Sequence, residues 1–441
     1  MVDYLEDNNL LHPSHHGFRS KHSTASALIQ MFDNWIEAFE DEEISAVIML
    51  DMSAAFDVVD FDILLSKLAL YGVENKTLTW ISSYLRNRTQ SVYIEGKLSE
   101  PLPLECGVPQ GSILGPLLYL LHTNDLPEAV HEHHLHQDIQ QDHHHYNLHC
   151  KSCGGLCLYA DDSTVTVSNK NVEELNADID ERYKVIASYM VNNKLVLNSD
   201  KTHLMVMTSA KKHNTHQDFG IFLDTGTEII MPQSEEKLLG AVVSSSLAWN
   251  KHIRDSEKSL IRILTSRINA LSKVCQFTNF CTRKMVANGI VMSYLSYLMP
   301  LYGGCPNYLL NALQTLQNRA ARLVTKSGWY TPSSTMLLQV GWLSVKQMIA
   351  YHSLVLMYKT KKEKKPVYMY SKICTPFNMN TRLADTNGIK GTRRFKSNIA
   401  KQSFLPRTIF QWNSLPPDIR STLTLTKFKC KLKPWVKQNF Q

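Results

Sequence analysis

Tyr159-Ala160-Asp161-Asp162 is the stretch that decides the fold of this 441-residue chain, because two adjacent aspartates directly follow an apolar strand pattern. A second apolar strand pattern, from Ile44 to Leu50, also ends in an acid, Asp51. Carboxylates at two strand ends that are far apart in sequence are what a site for two hard divalent cations requires. Taken alone, an Asp-Asp pair is more often a turn, since aspartate caps hairpins and tolerates left-handed backbone.

The aspartates belong to an ordered set of motifs. Along the chain these are Gly17-Phe18-Arg19 with Ser23-Thr24, Asp51 to Asp60, Gly107 to Pro116, Tyr159 to Asp162, Leu197 to Thr202, and Lys237 to Gly240. With these six motifs the sequence resembles the reverse transcriptases of non-LTR retrotransposons, the long interspersed elements of the jockey and CR-type groups. The resemblance extends from about residue 10 to the C-terminus.

The resemblance implies an α+β right-hand polymerase. Residues 1–243 would form a fingers–palm unit with an antiparallel sheet and packed helices, 244–360 a helical thumb and 361–441 a basic tail region. Residues 1–243 carry a net charge of −19, and residues 244–441 carry +26. An acidic half that binds metal and a basic half that binds phosphate suit a polymerase. The alternative is that the basic half only aids solubility or binds nucleic acid non-specifically.

Hydrophobic periodicity gives a coarse set of predicted elements. It predicts a helix from Ser23 to about Phe39, a buried strand at Ile44–Leu50, a helix capped by Asp60 and another capped by Asn171. Beyond Trp249 it predicts helices over roughly 251–275, 281–299, 306–326 and 342–360, with irregular structure over 366–402 and short helices near 403–412 and 426–438.

The activity that the resemblance implies is RNA-directed DNA polymerisation, in which a primer 3′-hydroxyl attacks a nucleotide with two metal ions present. The partners would be an RNA template, a DNA primer and deoxynucleoside triphosphates. The cofactor would be two Mg²⁺ ions, with Mn²⁺ as the alternative. Asp51, Asp161 and Asp162 would be catalytic metal ligands, and Met52 would offer its backbone carbonyl. Lys201 would protonate the leaving pyrophosphate; a solvated lysine in a turn is the alternative.

Four residues would bind the nucleotide. Phe56, five residues past Asp51, would exclude a ribose 2′-hydroxyl, with a simple core role as the alternative. Gln110 and Gly111 would lie along the template base and the incoming nucleotide, because glycine lets the backbone approach closely. Arg19 would contact the triphosphate, or else be a surface arginine on a mobile loop.

Two further groups would hold the nucleic acid. Lys237, Leu238, Leu239 and Gly240 resemble a primer grip, with an ordinary strand and turn as the alternative. Arg319 and Arg322 are three residues apart on one predicted helix face and would contact the primer–template.

Residues 131–157 are unusual in composition. They contain eight of the 18 histidines, together with Cys150, Cys153 and Cys157. These are zinc-ligand types, but the spacing lacks a clear second pair. We therefore interpret the segment as an inserted, largely irregular loop without a structural zinc ion. A zinc-dependent nucleic-acid-binding module built on it would leave the six ordered motifs unexplained.

Other features concern the setting of the chain. No run of about twenty apolar residues occurs, which predicts no membrane span. The acidic N-terminus and nine scattered cysteines favour an intracellular protein, nuclear or cytoplasmic and not secreted. Because the chain begins about fifty residues before Asp51, the resemblance suggests a fragment that lacks the endonuclease and the start of the fingers. The alternative function is a truncated or domesticated copy that binds RNA or DNA without polymerising.

Overall fold

The computed structural model of this chain describes residues 1–135, 155–208, 220–374, 388–390 and 394–440, and of 131–135 it describes the backbone alone. These residues form two compact units. The first comprises Met1–Ala27 and Glu43–Gln233, and the second comprises Leu28–Glu42 and Ser234–Gln441. The functional division at residues 243 and 360 stays a prediction.

The first unit combines a sheet with packed helices. Its helices are α1 (Val2–Asp7), the start of α2 (Thr24–Glu40), α3 (Phe61–Leu70), α4 (Asn75–Leu85), α5 (Gly115–His122), α6 (Leu126–Leu135) and α7 (Val172–Asn192). Its strands are β1 (Ile44–Leu50), β2 (Arg88–Gln90), β3 (Tyr93–Ile94), β4 (Lys97–Leu98), β5 (Leu102–Leu104), β6 (Leu156–Tyr159), β7 (Asp162–Asn169), β8 (His203–Met207), β9 (Leu223–Asp224), β10 (Ile229–Ile230) and β11 (Pro232–Gln233).

The main sheet has five strands in the order β11-β8-β1-β7-β6. Strand β1 lies at the centre and pairs antiparallel with β7 and β8, while β11 runs parallel to β8. Almost every residue of β1 is buried, which explains its continuous apolar sequence. The β1–β7 register sets Leu50 opposite Ser163, so both strands reach the same edge of the sheet at the aspartates.

Local sequence signals begin several of these helices. The Asp60 carboxylate accepts hydrogen bonds from the backbone N–H groups of Asp62 and Ile63, which caps α3. Asn171 caps α7 by accepting from the N–H of Glu173. Both caps were predicted from the sequence and are confirmed.

The second unit is mainly helical beyond one β-hairpin. The hairpin strands are β12 (Glu235–Leu238) and β13 (Ala241–Ser244). The helices are α8 (Leu260–Cys275), α9 (Phe280–Ala287), α10 (Ser293–Ser296), α11 (Met299–Tyr302), α12 (Asn307–Thr325), α13 (Ser333–Val340), α14 (Val345–Glu363), α15 (Val367–Ile373), α16 (Asn398–Gln402), α17 (Phe404–Ser414), α18 (Pro417–Arg420) and α19 (Leu425–Asn439), with wider π-helical turns at Lys251–Asp255 and Asn288–Met292.

The α+β class is confirmed, and three local predictions need correction. The predicted helix over 251–275 is interrupted at Ser256–Ser259, because Ser256 and Ser259 adopt extended backbone conformations, with ψ values of 159° and 150°. The predicted irregular stretch 366–402 contains helices α15 and α16. The predicted irregular segment 131–157 is helical up to Leu135 and enters strand β6 at Leu156; its remainder, 136–154 with Cys150 and Cys153, lies outside the described residues.

Candidate active site

The β6–β7 hairpin presents the paired aspartates. Tyr159 pairs with Asp162, which leaves Ala160 and Asp161 as a two-residue turn. Ala160 has a φ of 58°, in the left-handed region that L-residues other than glycine seldom adopt. Such strain persists only where the surroundings enforce it, and it is concentrated at functional sites. The turn therefore fixes Asp161 at the tip of the hairpin.

The first of the six motifs, which contains Gly17, lies directly behind this turn. The backbone N–H of His16 donates to the Leu158 carbonyl at 2.8 Å, and the N–H of Leu158 donates to the Ser14 carbonyl at 2.9 Å. A Cβ atom on Gly17 would lie 2.4 Å from the backbone nitrogen of Ala160. Only glycine allows so close an approach, so Gly17 supports the aspartate turn through its lack of a side chain.

Asp51 directly follows the central strand β1 and lies at the same edge of the sheet as the aspartate turn. Its carbonyl accepts from the N–H of Asn198 at 3.0 Å, and the N–H of Ser53 donates to the Val196 carbonyl at 2.9 Å. These bonds fasten the chain beyond β1 to the segment that precedes Lys201. These two hydrogen bonds use backbone groups of Asp51 and Ser53, the two neighbours of Met52. Neither bond involves the Met52 carbonyl.

The three aspartates influence one another. Partial burial raises the pKa of Asp162, and repulsion from the carboxylates of Asp161 and Asp51 raises it further. Clustered carboxylate oxygens are the ligands that hard divalent cations prefer, so residue type and charge both fit such ions. Within the described ranges, however, no group of three or more His, Cys, Asp or Glu residues is arranged to hold a metal ion.

Lys201 lies beside the predicted metal ligands. Its Nζ is 3.1 Å from Oδ2 of Asp51, on a short 3₁₀ turn formed by Ser199–Lys201. The lysine side chain is 64% exposed. The ammonium group therefore offsets part of the negative charge of the cluster, and it remains open to a ligand from solvent.

Phe56 lies next to the aspartates in a group of aromatic rings with Tyr119 and Phe18, which we call the aromatic floor. Its ring stacks on Tyr119 of α5 with centroids 4.6 Å apart, and Phe18 meets it edge-on at 6.0 Å. The Tyr119 hydroxyl donates to the Met52 sulfur, and burial together with the nearby Asp161 carboxylate raises the pKa of Tyr119. Phe56 is half-buried, a position that suits both packing and contact with a ligand.

Gln110 is held by an acid from the motif Asp51 to Asp60. Its Nε2 donates to both carboxylate oxygens of Asp57, at 3.0 and 2.9 Å. The backbone N–H groups of Gly107 and Val108 donate to Val59 and Phe56, which joins the two motifs. Gly111 has a φ of 75°, and a Cβ added there would meet no atom within 4 Å. That open space is compatible with the predicted approach of a nucleotide.

Arg19 is a buried residue in this structure. Its guanidinium binds the Glu6 carboxylate through Nε and Nη2, and its Nη1 donates to the carbonyls of His12 and His15. The side chain is only 6% exposed, which excludes the alternative of a surface arginine on a mobile loop. A triphosphate contact stays a prediction and would require the ion pair with Glu6 to open.

The predicted primer grip forms a β-hairpin in the second unit. Lys237 and Leu238 end β12, and Leu239 and Gly240 form the tight turn with φ values of 46° and 83°. The Tyr297 hydroxyl donates to the Leu239 carbonyl at 2.8 Å. A left-handed backbone conformation is strained for leucine. As at Ala160, it persists only because the surrounding structure enforces it.

Arg319 and Arg322 lie on α12, as the sequence predicted. Arg319 is exposed, and its Nη2 donates to Oδ1 of Asn269 at 2.7 Å. Arg322 is half-buried, and its Nη2 donates to the Trp329 carbonyl at 3.3 Å. The two residues thus differ: the Arg319 side chain faces solvent, whereas the Arg322 side chain is tied to the loop that follows its helix.

Sequence reasoning missed several parts of the site. Glu6, Asp57 and Tyr119 each contact a predicted site residue, and Gly17 supports the aspartate turn. Asp57 and Gly17 lie inside two of the six motifs, so their positions were a usable signal. Glu6 lies in an ordinary acidic helix, and nothing in its sequence context indicates that it pairs with Arg19.

Across the described residues, no helix combines the length and apolar character needed to cross a membrane.

Comparison with known proteins gives a family and several relatives. Residues 1–243 match the family model described as reverse transcriptase (RNA-dependent DNA polymerase). The chain is 26% identical over 357 residues to a probable RNA-directed DNA polymerase from transposon BS of Drosophila melanogaster, covering 80% of this chain and 36% of that protein. It is 25% identical over 314 residues to the RNA-directed DNA polymerase from mobile element jockey of the same organism, covering 71% and 32%. The chain thus spans about a third of the length of these relatives.

Among solved structures, apo telomerase from Candida tropicalis is similar with a TM-score of 0.40 and 11% identity, covering 84% of this chain and 59% of that one.

Proposed function

The chain belongs to the reverse transcriptase family, and from this premise we propose that it acts as an RNA-directed DNA polymerase. Its fold is the α+β right-hand polymerase fold, and its similarity to the polymerases of transposon BS and jockey supports the non-LTR group of mobile elements. The observation that carries the proposal is the convergence of Asp51 with Asp161 and Asp162 at one edge of the sheet.

Reverse transcriptases use divalent metal ions, and we propose Mg²⁺, or Mn²⁺ in its place, for this one. Asp51, Asp161 and Asp162 would hold the ions, with the Met52 carbonyl as a further ligand. When bound, such ions supply Lewis-acid activation of the primer hydroxyl and neutralise charge on the leaving phosphates. Partial burial is the largest cause of the raised pKa of Asp162, and repulsion from Asp161 and Asp51 adds to it. That repulsion supports this assignment, because a cation would relieve it.

Lys201 would act on the leaving group. Its ammonium group is an exposed donor beside Asp51, close to where a nucleotide held by the aspartates would carry its phosphates. A proton delivered from Nζ to the departing pyrophosphate oxygen would make it a better leaving group.

The aromatic floor would discriminate between deoxyribose and ribose in the incoming nucleotide. Phe56 is backed by the ring of Tyr119, so it cannot retreat far from a ribose 2′-hydroxyl. Gln110, fixed by Asp57, and the open backbone at Gly111 would lie against the template base and the nucleotide.

The substrates would be deoxynucleoside triphosphates, an RNA template and a DNA primer. Lys237 to Gly240 would hold the primer end, and Arg319 would contact a phosphate of the primer–template. The net charge of +26 on residues 244–441 supports nucleic-acid binding by that part of the chain.

Primer extension by the whole chain tests the proposal. With a DNA primer on an RNA template, deoxynucleotides and Mg²⁺, we expect templated extension. Asp161→Asn should lower the rate at least about a thousandfold, because it removes a charged ligand that acts on the transition state. Asp200→Asn, at an exposed acid next to Lys201, is the matched control and should leave the rate within about twofold.

Two results would overturn the polymerase assignment or the role of the aspartates in it. One is tight binding of primer–template without any extension, which would favour a copy that only binds nucleic acid. The other is full activity in Asp161→Asn.

A further inference from the structure

Trp329 and Tyr330 lie at the tip of an ordered turn in the second unit. The N–H of Thr331 donates to the Gly328 carbonyl at 3.1 Å, which makes the two aromatic residues the central pair of a β-turn. Helix α12 ends before the turn, where Lys326 adopts a left-handed φ of 52°, and helix α13 begins after Pro332. Two helices therefore flank the turn and fix the position of its backbone. We refer to residues 328–331 as the aromatic turn.

The two rings are unusually open to solvent. Trp329 is 79% exposed and Tyr330 is 96% exposed, although burial of such side chains ordinarily stabilises a fold. Phe277, just beyond α8, is 87% exposed. Single exposed apolar residues need no explanation, but three large aromatic residues at one end of a unit indicate a binding surface.

Arg283 brings Phe277 and the aromatic turn to the same end of the unit. Its Nε donates to the Val324 carbonyl, in the last turn of α12, at 2.7 Å, and its Nη1 donates to the Thr278 carbonyl at 2.6 Å. Burial raises the pKa of the Cys275 thiol at the end of α8. The charge of Lys326 is close enough to lower that pKa by a smaller amount. The ends of α8 and α12 thus meet beside the aromatic turn.

Arg322 fixes the indole of Trp329. Its guanidinium carbon is 5.3 Å from the centroid of the indole ring, and its Nη2 donates to the Trp329 carbonyl. The contact combines cation–π attraction with a hydrogen bond to the backbone. An aromatic ring held in this way loses little freedom when a second flat group stacks on it.

The charge around the turn is of one sign. Residues 258–362 contain thirteen lysines and arginines and no aspartate or glutamate. Arg322 and Lys326 are the basic residues that immediately precede the turn. An anionic partner is therefore attracted along the whole stretch, whereas a basic partner is repelled.

We propose that the aromatic turn, together with Phe277, is a stacking site for the unpaired bases of a single-stranded nucleic acid. Open aromatic ring faces accept bases of any sequence, and neighbouring cations neutralise the phosphates. In a duplex, stacking and pairing cover the faces of the bases. A duplex would therefore bind to the basic side chains through its phosphates and would not stack on the aromatic rings. The site is built from residues of the second unit alone, and the proposal does not rest on polymerase activity.

Binding of short strands to the whole chain tests the proposal. The probes are fluorescein-labelled 12-nucleotide oligouridylate, the matching oligothymidylate, an abasic strand of the same length and a 12-base-pair duplex. In the double variant Trp329→Ala/Tyr330→Ala, the Kd for both based single strands should rise about tenfold or more. The Kd for the abasic strand and for the duplex should change less than about twofold, because their phosphate contacts remain.

Control variants separate stacking from folding. Trp329→Phe/Tyr330→Phe keeps two rings and should restore most of the single-strand affinity. Phe410→Ala removes an aromatic residue that is 78% exposed on α17 and should change nothing. Unchanged thermal unfolding of the alanine variant would show that the exposed rings do not support the fold.

Several outcomes would overturn the stacking site. They are equal losses for single strand and duplex, no preference of the wild-type chain for based over abasic strands, and Phe replacements as weak as Ala. Self-association that depends on Trp329 and Tyr330 would show that a second copy covers the turn. A preference for oligouridylate over oligothymidylate would identify RNA as the source of the strand, and the reverse would identify DNA. None of these readouts depends on primer extension, so the two proposals can fail separately.

Discussion

The first 243 residues and the last 198 carry opposite net charges, −19 and +26. The first part carries 16 basic and 35 acidic residues, and the second carries 31 and 5. In the first part, three carboxylates meet at one edge of a sheet, and partial burial together with their repulsion raises the pKa of Asp162. In the second, thirteen basic residues follow one another without an acid from 258 to 362. The comparison suggests that chemistry and nucleic-acid binding are divided between the two parts.

The physical reason for such a division is that binding of divalent cations and binding of a phosphate backbone need electrostatic potentials of opposite sign. A carboxylate cluster attracts divalent cations but repels a phosphate backbone unless a cation intervenes. A basic surface gains affinity by releasing the counterions of the nucleic acid. Variants in one part should therefore change rate, and variants in the other should change affinity and its dependence on salt.

Replacement of Lys201 tests the basic group that pairs with Asp51, and among replacements outside the three aspartates it should have the largest effect. Lys201→Ala should lower the single-turnover extension rate by about a hundredfold or more, the usual contribution of a general acid. Lys194 is the matched control, since it is 66% exposed against 64% for Lys201 and pairs with Asp60 in place of Asp51. If Lys194→Ala and Lys201→Ala reduce the rate equally, Lys201 has no specific part in the chemistry.

Selection of the sugar gives a second, smaller effect within the acidic part. Phe56→Val should raise the use of ribonucleotides relative to deoxynucleotides by about ten- to a hundredfold, because a shorter side chain leaves room for the 2′-hydroxyl. The measurement is the ratio of kcat/KM values for the two nucleotides. Tyr119→Phe keeps the ring that stacks on Phe56 and should leave the ratio unchanged. An active Phe56→Val enzyme with unaltered discrimination would return Phe56 to a packing role.

The smallest effect is expected in the basic part. Arg319→Gln should weaken primer–template binding a few-fold and reduce the slope of log Kd against log salt by about one, as expected for one lost phosphate contact. Glutamine can still donate a hydrogen bond towards Asn269, so the helix should be preserved. Lys76→Gln, at an exposed lysine of the first unit, should not alter the slope. Equal changes in both variants would remove the distinction between the two parts.

Local signals allowed much of the fold to be predicted from the sequence. Strand β1 is a continuous apolar run, and the caps at Asp60 and Asn171 use side chains next to the helices they begin. The aspartate hairpin was likewise marked by two apolar strands around a polar turn. In each case the residues that decide the structure lie within a few positions of one another.

Contacts between distant segments could not be predicted in this way. The apolar stripe of α2 indicated a buried face, but nothing in it showed that residues from Leu28 onward belong to the second unit. The ion pair between Arg19 and Glu6 and the approach of Gly17 to Ala160 likewise join residues whose proximity only the folded chain creates. A fragment ending at residue 243 would separate Leu28–Glu42 from the rest of its unit, so point variants of the whole chain are the better tests.

The most direct test of the division is to measure primer–template affinity and single-turnover extension rate side by side in Asp161→Asn and Arg319→Gln. We predict that Asp161→Asn loses the rate by about a thousandfold or more while its affinity stays within about twofold. Arg319→Gln should show the reverse pattern, with weaker, less salt-dependent binding and a normal rate at saturating primer–template. A loss of affinity in Asp161→Asn as large as its loss of rate, or a slow Arg319→Gln enzyme with normal affinity, would contradict the account.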